Sequence, residues 1–202
     1  MTPWHYEDDE LRIRKVVVGE LENNVYVVAC AKTGHAVIID AADDPDTIEA
    51  AVDDVEPVAI LTTHGHYDHV GAAAEMRDRL AVPLSIHPAD VAQAGIDADV
   101  PMEDGNEVAV GELRLRLIHT PGHTPGSMCV VLPGHLFTGD TLFPGGPGAT
   151  SRPESSFSQI IESIRDRLFI LPEDTVVYPG HGLDTTIGSE RPHLQEWIVR
   201  GE

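Results

Sequence analysis

The chain has 202 residues, 42% of them hydrophobic, and its 13 lysines and arginines against 34 aspartates and glutamates give a formal charge of −21. That charge repels nucleic acid and anionic membrane surfaces, so neither is expected as a partner, while the apolar fraction suits one substantial core and a small-molecule substrate. No apolar run approaches the roughly 20 residues that span a bilayer, and the first ten residues lack a secretory pattern, so a single cytoplasmic domain over residues 1–202 is expected, its oligomeric state open.

In chain order, Leu11 to Val18 reads as a strand and Val25 to Cys30 as its partner across the turn 19–24, with Ala36 to Asp40 completing a meander. Pro45 to Val52 reads as helix, Val58 to Leu61 as a buried strand, Ala72 to Leu80 as helix, Leu84 to His87 as strand and Pro88 to Ala92 as a short helix. In the second half, strands are expected at Glu107 to Val110, Leu113 to His119, Ser127 to Leu132 and Leu136 to Thr138. Phe157, Ile160, Ile161, Ile164 and Leu168 recur at helical spacing, so Ser156 to Ile170 is expected as an amphipathic helix. Val176 to Tyr178 reads as a final strand and Pro192 to Val199 as a closing helix. Two mixed sheets face to face with helices outside make a four-layer αββα sandwich, an α+β fold. Phe143 to Pro153, rich in Gly and Pro, is the one long irregular loop and a candidate functional segment. Cys30 and Cys129 lie in apolar runs without CxxC spacing and read as small buried hydrophobes.

The chemistry gathers at residues 62–69, Thr-Thr-His-Gly-His-Tyr-Asp-His, directly after the buried strand. In an extended segment residues two apart point the same way, so His64 and His66 can address one ion. Asp68 and His69 fall where a helix begins and can turn toward a second. Tyr67 between them either lines a pocket or packs. Three later positions repeat one pattern, an apolar strand followed by a glycine and then a metal-capable side chain: His123 in the turn 120–127, Asp140 after Phe137-Thr138-Gly139, and His181 after Pro179-Gly180. His87 and His119 end strands and read as packing residues or as supports to the ligands, His119 the better support because it lies four before His123. His5, His35, His135 and His193 read as surface or turn residues.

The ordered set His64-x-His66-x-Asp68-His69, His123, Asp140 and His181 resembles the metallo-β-lactamase-fold superfamily over nearly the whole chain, in particular its glyoxalase II-like branch of dinuclear hydrolases. The resemblance implies that His64, His66 and His123 bind one ion, that Asp68, His69 and His181 bind another, and that Asp140 bridges them. Imidazole and carboxylate suit two zinc ions, and also iron or manganese. It further implies a bridging hydroxide that cleaves a small thioester or ester, with Asp68 and Asp140 orienting it and helping to move its proton. Departures narrow the substrate. Ala149 stands where glyoxalase II proper carries a cation for glutathione, so glutathione is not the expected thiol. Phe143 stands where the acyl-homoserine lactonases have Tyr, and His69 where class B1 β-lactamases have Arg. A second expectation is a persulfide dioxygenase-like oxidoreductase with one iron on His66 or His64, His123 and Asp140. A third, a non-catalytic metal-binding module, is disfavoured by the intact ligand set.

Overall fold

A computed structural model describes residues 2–201. In its first half, the strands β1 (Tyr6–Glu7), β2 (Leu11–Val18), β3 (Asn23–Cys30) and β4 (His35–Ile39) precede helix α1 (Pro45–Ala51) and strand β5 (Glu56–Leu61). Helices α2 (Tyr67–Val70) and α3 (Ala73–Leu80), strand β6 (Leu84–Ile86), helix α4 (Val91–Ala94) and strand β7 (Val100–Pro101) follow. These seven strands form one sheet in sequence order, antiparallel from β1 to β4 and parallel from β4 to β7.

The second half contributes β8 (Glu107–Val110), β9 (Leu113–His119), β10 (Met128–Leu132) and β11 (His135–Gly139), then a hairpin of β12 (Leu142–Phe143) and β13 (Gly146–Pro147). Helix α5 (Phe157–Ser163), strands β14 (Val176–Pro179) and β15 (Thr185–Thr186), and helices α6 (Ile187–Glu190) and α7 (Leu194–Arg200) complete it. The second sheet has the order β15-β14-β11-β10-β9-β8.

Side-chain alternation assembles the layers. Along β3, Val25 and Val27 pack under α1 and α3, whereas Tyr26 and Val28 point the other way to meet Leu115, Phe137 and Tyr178 of the second sheet. Beyond that sheet, Ile160, Ile161 and Ile164 pack with Val177 and Trp197 as the outermost core. Both faces of both sheets are therefore covered, which is the expected αββα sandwich.

Several expectations shift. Asn23 and Asn24 belong to β3 instead of the preceding turn, because Asn24 Nδ2 donates to Pro179 O at 2.9 Å and Gly182 O at 3.0 Å, tying the two sheets together. The helix expected to reach Ile170 is α-helical only to Ser163 and widens into a π-wound turn over Ile164–Leu168, after which the chain turns to bury Phe169 near Trp197. Val176–Pro179 is not the last strand, since Thr185–Thr186 pairs with it, and the closing helix starts two residues late, after a 3₁₀ turn at Arg191–His193. The irregular loop carries the small hairpin β12-β13. His135 is buried, not a surface residue: its Nδ1 lies 3.0 Å from Tyr178 Oη and its ring meets Tyr6 edge-on. Tyr67 is 68% exposed and has no packing role. Cys30 and Cys129 are buried and unpaired, and burial pushes the Cys129 thiol up to about 11. Among the described residues no helix is long and apolar enough to cross a membrane.

Candidate metal centre

Parallel pairing decides where the site lies. β4 runs parallel to β5 and β11 parallel to β14, so the C-terminal ends of all four open on one edge of the sandwich. Asp40 follows β4, the His64–His69 segment follows β5, Asp140 follows β11 and His181 follows β14 soon after its last residue. The turn from β9 to β10 brings His123 to the same edge. Helix α2 places His69 inward and Asp68 beside it, because its single turn starts at Tyr67.

All seven nominated side chains converge in three overlapping groups whose ligand atoms lie within 4.8 Å of one another: His64, His66 and His123; His64, His69 and Asp140; Asp68, His69 and His181. In the first group, His66 Nδ1 stands 3.0 Å from His64 Nε2 and 2.9 Å from His123 Nε2. In the last, Asp68 Oδ2 lies 3.3 Å from His181 Nε2 and 3.6 Å from His69 Nε2. Asp140 faces both, at 3.4 Å from His69 Nε2, 3.5 Å from His123 Nε2 and 3.8 Å from His181 Nε2.

The outer nitrogens of four of the imidazoles have acceptors, which place hydrogen on Nδ1. His123 Nδ1 donates to Ala149 O at 2.8 Å, His181 Nδ1 to Leu21 O at 3.0 Å and His69 Nδ1 to Asp40 Oδ2 at 2.9 Å. His64 Nδ1 meets Thr63 Oγ1 at 3.1 Å, and that hydroxyl spends its hydrogen on Asp40 Oδ2 at 2.7 Å, so it accepts from His64. His66 turns Nε2 toward Glu154 Oε1 at 3.5 Å, within ion-pair reach but short of a hydrogen bond. His64 and His123, with their hydrogens on Nδ1, therefore turn Nε2 toward His66 Nδ1, and the three nitrogens converge on one point that a cation could occupy. His69 Nε2 and Asp140 Oδ1 are also buried without a hydrogen-bond partner. This donor set of imidazole and carboxylate fits divalent metal ions.

The two groups differ in charge. Burial, with His69, His123 and His66 beside it, holds His64 well below the usual imidazole range, and burial, His123 and Arg152 hold His66 down. Burial disfavours charge on His69 as well, yet Asp140 and Asp40 push it well above that range, and the Asp68 carboxylate facing His181 raises His181. Burial likewise disfavours charge on Asp68, but His181, His69 and the Asn23 amide together hold it below the usual carboxylate range.

A proton-release difference follows. An ion entering beside His64 and His66, where protonation is disfavoured, should displace fewer protons than one entering at Asp68, His69 and His181, where carboxylates favour the protonated imidazoles. Affinity at the second group should consequently keep rising with pH beyond the point at which affinity at the first levels off, because proton competition there persists to higher pH. Calorimetric titration of metal-depleted protein in buffers of different ionisation enthalpy measures this. Equal proton release in both binding steps would refute the difference.

Other residues escaped the sequence reading. Asp40, 2% exposed, accepts from Thr63 N and Thr63 Oγ1, both at 2.7 Å, and from His69, so one carboxylate orients ligands in both groups. It ends an apolar strand, the same signal that marks Asp140, but without the glycine. Asp90, fully buried, accepts from Gly65 N at 2.8 Å, Thr124 Oγ1 at 2.6 Å and Gly126 N at 2.7 Å, fastening the His64–His66 loop to the His123 loop. Gly180 must lack a side chain, since a Cβ there would meet Asp140 Oδ1 at 2.4 Å and His69 Cε1 at 2.6 Å. His119 and His87 stack at 4.3 Å and contact no ligand: His119 Nε2 donates to Pro125 O, and His87 Nδ1 accepts from Ala89 N.

A family model described as the metallo-beta-lactamase superfamily matches residues 18–181. The chain is 35% identical to a probable polyketide biosynthesis zinc-dependent hydrolase, BaeB, of Bacillus velezensis, over 85% of this chain and 78% of that one. It is 32% identical to the hydroxyacylglutathione hydrolase GloC of Haemophilus influenzae, over 78% of this chain and 84% of that one. Among solved structures it is similar to TTHA1623 in a di-iron-bound form, with a TM-score of 0.78 and 34% identity over 88% of this chain and 96% of that one.

Proposed function

Because the chain belongs to the metallo-β-lactamase superfamily, we propose that it is a metal-dependent hydrolase of a small thioester or ester, similar in reaction to glyoxalase II. His64, His66 and His123 would hold one divalent ion and Asp68, His69 and His181 a second, with Asp140 between them. The observation that carries this reading is the convergence of three imidazole nitrogens, of His64, His66 and His123, beside a carboxylate that faces both groups.

Ions held there supply a water that is deprotonated near neutral pH and a Lewis acid for the acyl oxygen. The chain's own groups then place and move protons. Asp68 is steadied by Asn23 Nδ2, which donates to its Oδ2 at 3.1 Å, so the carboxylate keeps a fixed orientation toward the centre. Asp140, which faces both groups, would orient the attacking water and help to move its proton. No protein nucleophile is needed, and both cysteines are buried away from the groups. Water adds to the acyl carbon, the bond to sulfur or oxygen breaks, and the departing thiol or alcohol takes the remaining proton.

Elemental analysis of protein purified without added metal, followed by a panel of acyl thioesters, tests this. About two zinc per chain and thiol release that chelation abolishes are expected. Metal-replete protein inactive on the whole panel would sink the hydrolase reading. About one iron per chain, with oxygen uptake on a persulfide, would replace it with the dioxygenase.

A further inference from the structure

Two clefts border the centre, and their chemistry is opposite. One, of about 320 Å³, lies against Asp68 and Asn23 and is walled by Leu21 and Tyr67, with Glu20 and Asp43 on its rim. Leu21 is 51% and Tyr67 68% exposed, so this cleft offers bare apolar surface edged by carboxylates. The other, of about 650 Å³, lies along the loop from Phe143 to Ser151 with Arg200 on its wall. It reaches the centre at both ends of the loop: the Phe143 ring is 6.5 Å from that of His181, and Ala149 O holds His123 Nδ1. Both volumes lie within the range of small-molecule sites.

Arg200 reaches this cleft through a specific packing. Trp197, 1% exposed, seats α7 against the β12-β13 hairpin, and a Cβ added at Gly146 would meet Arg200 Nη2 at 3.3 Å. In a chain with 34 acidic residues most cations are neutralised nearby; Arg79 alone is paired with Asp46, Glu49 and Glu75. Among the described residues the side chains of Arg200 and Arg152 form no ion pair. Glu154, the carboxylate nearest Arg152 in the chain, is turned to Gln93 and His66 instead. Arg200 thus lines the cleft on one side of the centre, with Arg152 next in the chain after its lining residue Ser151, while the other cleft presents Glu20 and Asp43.

We infer that the substrate is polar at one end only: an apolar acyl group lies on Leu21 and Tyr67, and the departing thiol or alcohol ends in a single carboxylate that Arg200 receives, with Arg152 at the loop's exit. This rests on the hydrolase reading. Glu20 and Asp43 repel an anion from the acyl side, which fixes the direction of binding. Guanidinium matches a carboxylate in a two-point hydrogen bond. A phosphate dianion fits less well, because Arg200 ends a helix, where the exposed carbonyls carry partial negative charge, in a chain of charge −21. The arginine comes from the closing helix, not from the loop position held by Ala149.

Paired substrates test the inference: the butyryl thioesters of 3-mercaptopropionate and of 3-mercaptopropionamide, which differ only in the terminal carboxylate. The metal-replete protein should hydrolyse the carboxylate with a kcat/KM about tenfold higher, through KM, and the preference should shrink as salt is raised. Arg200→Ala should bring the ratio near one, and Arg152→Ala should lower it less. Arg116→Ala, at the opposite end of the second sheet, should leave it intact. A ratio near one in the unmodified protein, or one undiminished in Arg200→Ala, overturns the inference. Binding of the uncleavable thioether S-butyl-3-mercaptopropionate and its amide, by calorimetry, separates the two readings. Tighter binding of the carboxylate without turnover of either thioester would refute the hydrolase and sustain the carboxylate site; equal binding of the pair would refute the site even if both thioesters are cleaved.

Discussion

Asp140→Ala is expected to lower metal-dependent thioester hydrolysis by at least about a thousandfold, roughly 4 kcal/mol of transition-state stabilisation. This carboxylate alone approaches His69, His123 and His181 together, at 3.4, 3.5 and 3.8 Å. Without it, two divalent charges would face each other across neutral imidazoles with only Asp68 to offset them, so metal content should fall toward one equivalent per chain. Asp140→Asn keeps the volume but removes the charge, and should resemble the alanine variant in metal content. Burial disfavours charge on Asp140, but His69, then His123 and His181, keep it below the usual carboxylate range, so it remains an anion throughout the working pH. Elemental analysis, circular dichroism and initial rates on one preparation make the test. A folded variant that keeps both ions and more than a tenth of the rate would remove Asp140 from the centre.

Asp40→Asn should weaken metal binding by about ten- to a hundredfold although residue 40 touches no ion. At present Asp40 accepts three hydrogen bonds, and they dictate that His69, and through Thr63 also His64, carry hydrogen on Nδ1. An asparagine amide can satisfy Thr63 N through its oxygen, but its NH₂ then faces His69 Nδ1. The imidazole must place its hydrogen on Nε2, pointing it at the position an ion would take. Residue 40 has φ 56°, a conformation asparagine tolerates, so the backbone adds little to the effect. Titration of metal-depleted protein with zinc, read by calorimetry, measures the change, and unaltered affinity in a folded variant would show that Asp40 does not set the tautomers. Asp40→Ala should be worse in stability as well, because it strands the buried Thr63 N.

What could be read from the chain alone was whatever is local. The unbroken apolar run from Val25 to Cys30 marks a strand with two buried faces, and helical spacing from Phe157 to Leu168 marks an apolar stripe, because both signals lie within a few residues of one another. The His64–His69 cluster declared itself for the same reason: its four candidate ligands are neighbours in sequence. His123, Asp140 and His181 were legible singly, each behind a glycine at a strand end, while their grouping came from resemblance.

Tertiary structure decided the rest. His135 looked like a turn residue and is buried against Tyr178, 43 positions away. Asp40 lies 29 positions from His69, and Asp90 holds Gly126 from 36 positions away. Arg200 enters the cleft at Gly146 from the last helix. Side chains that orient others are chosen by where the sheets stack and which strands run parallel, and a hydrogen bond between distant segments leaves no periodicity in either. The sequence thus determined which groups could bind metal and roughly which elements carry them; only the packing of two sheets face to face decided their tautomers, their charges and the surfaces that a substrate would meet.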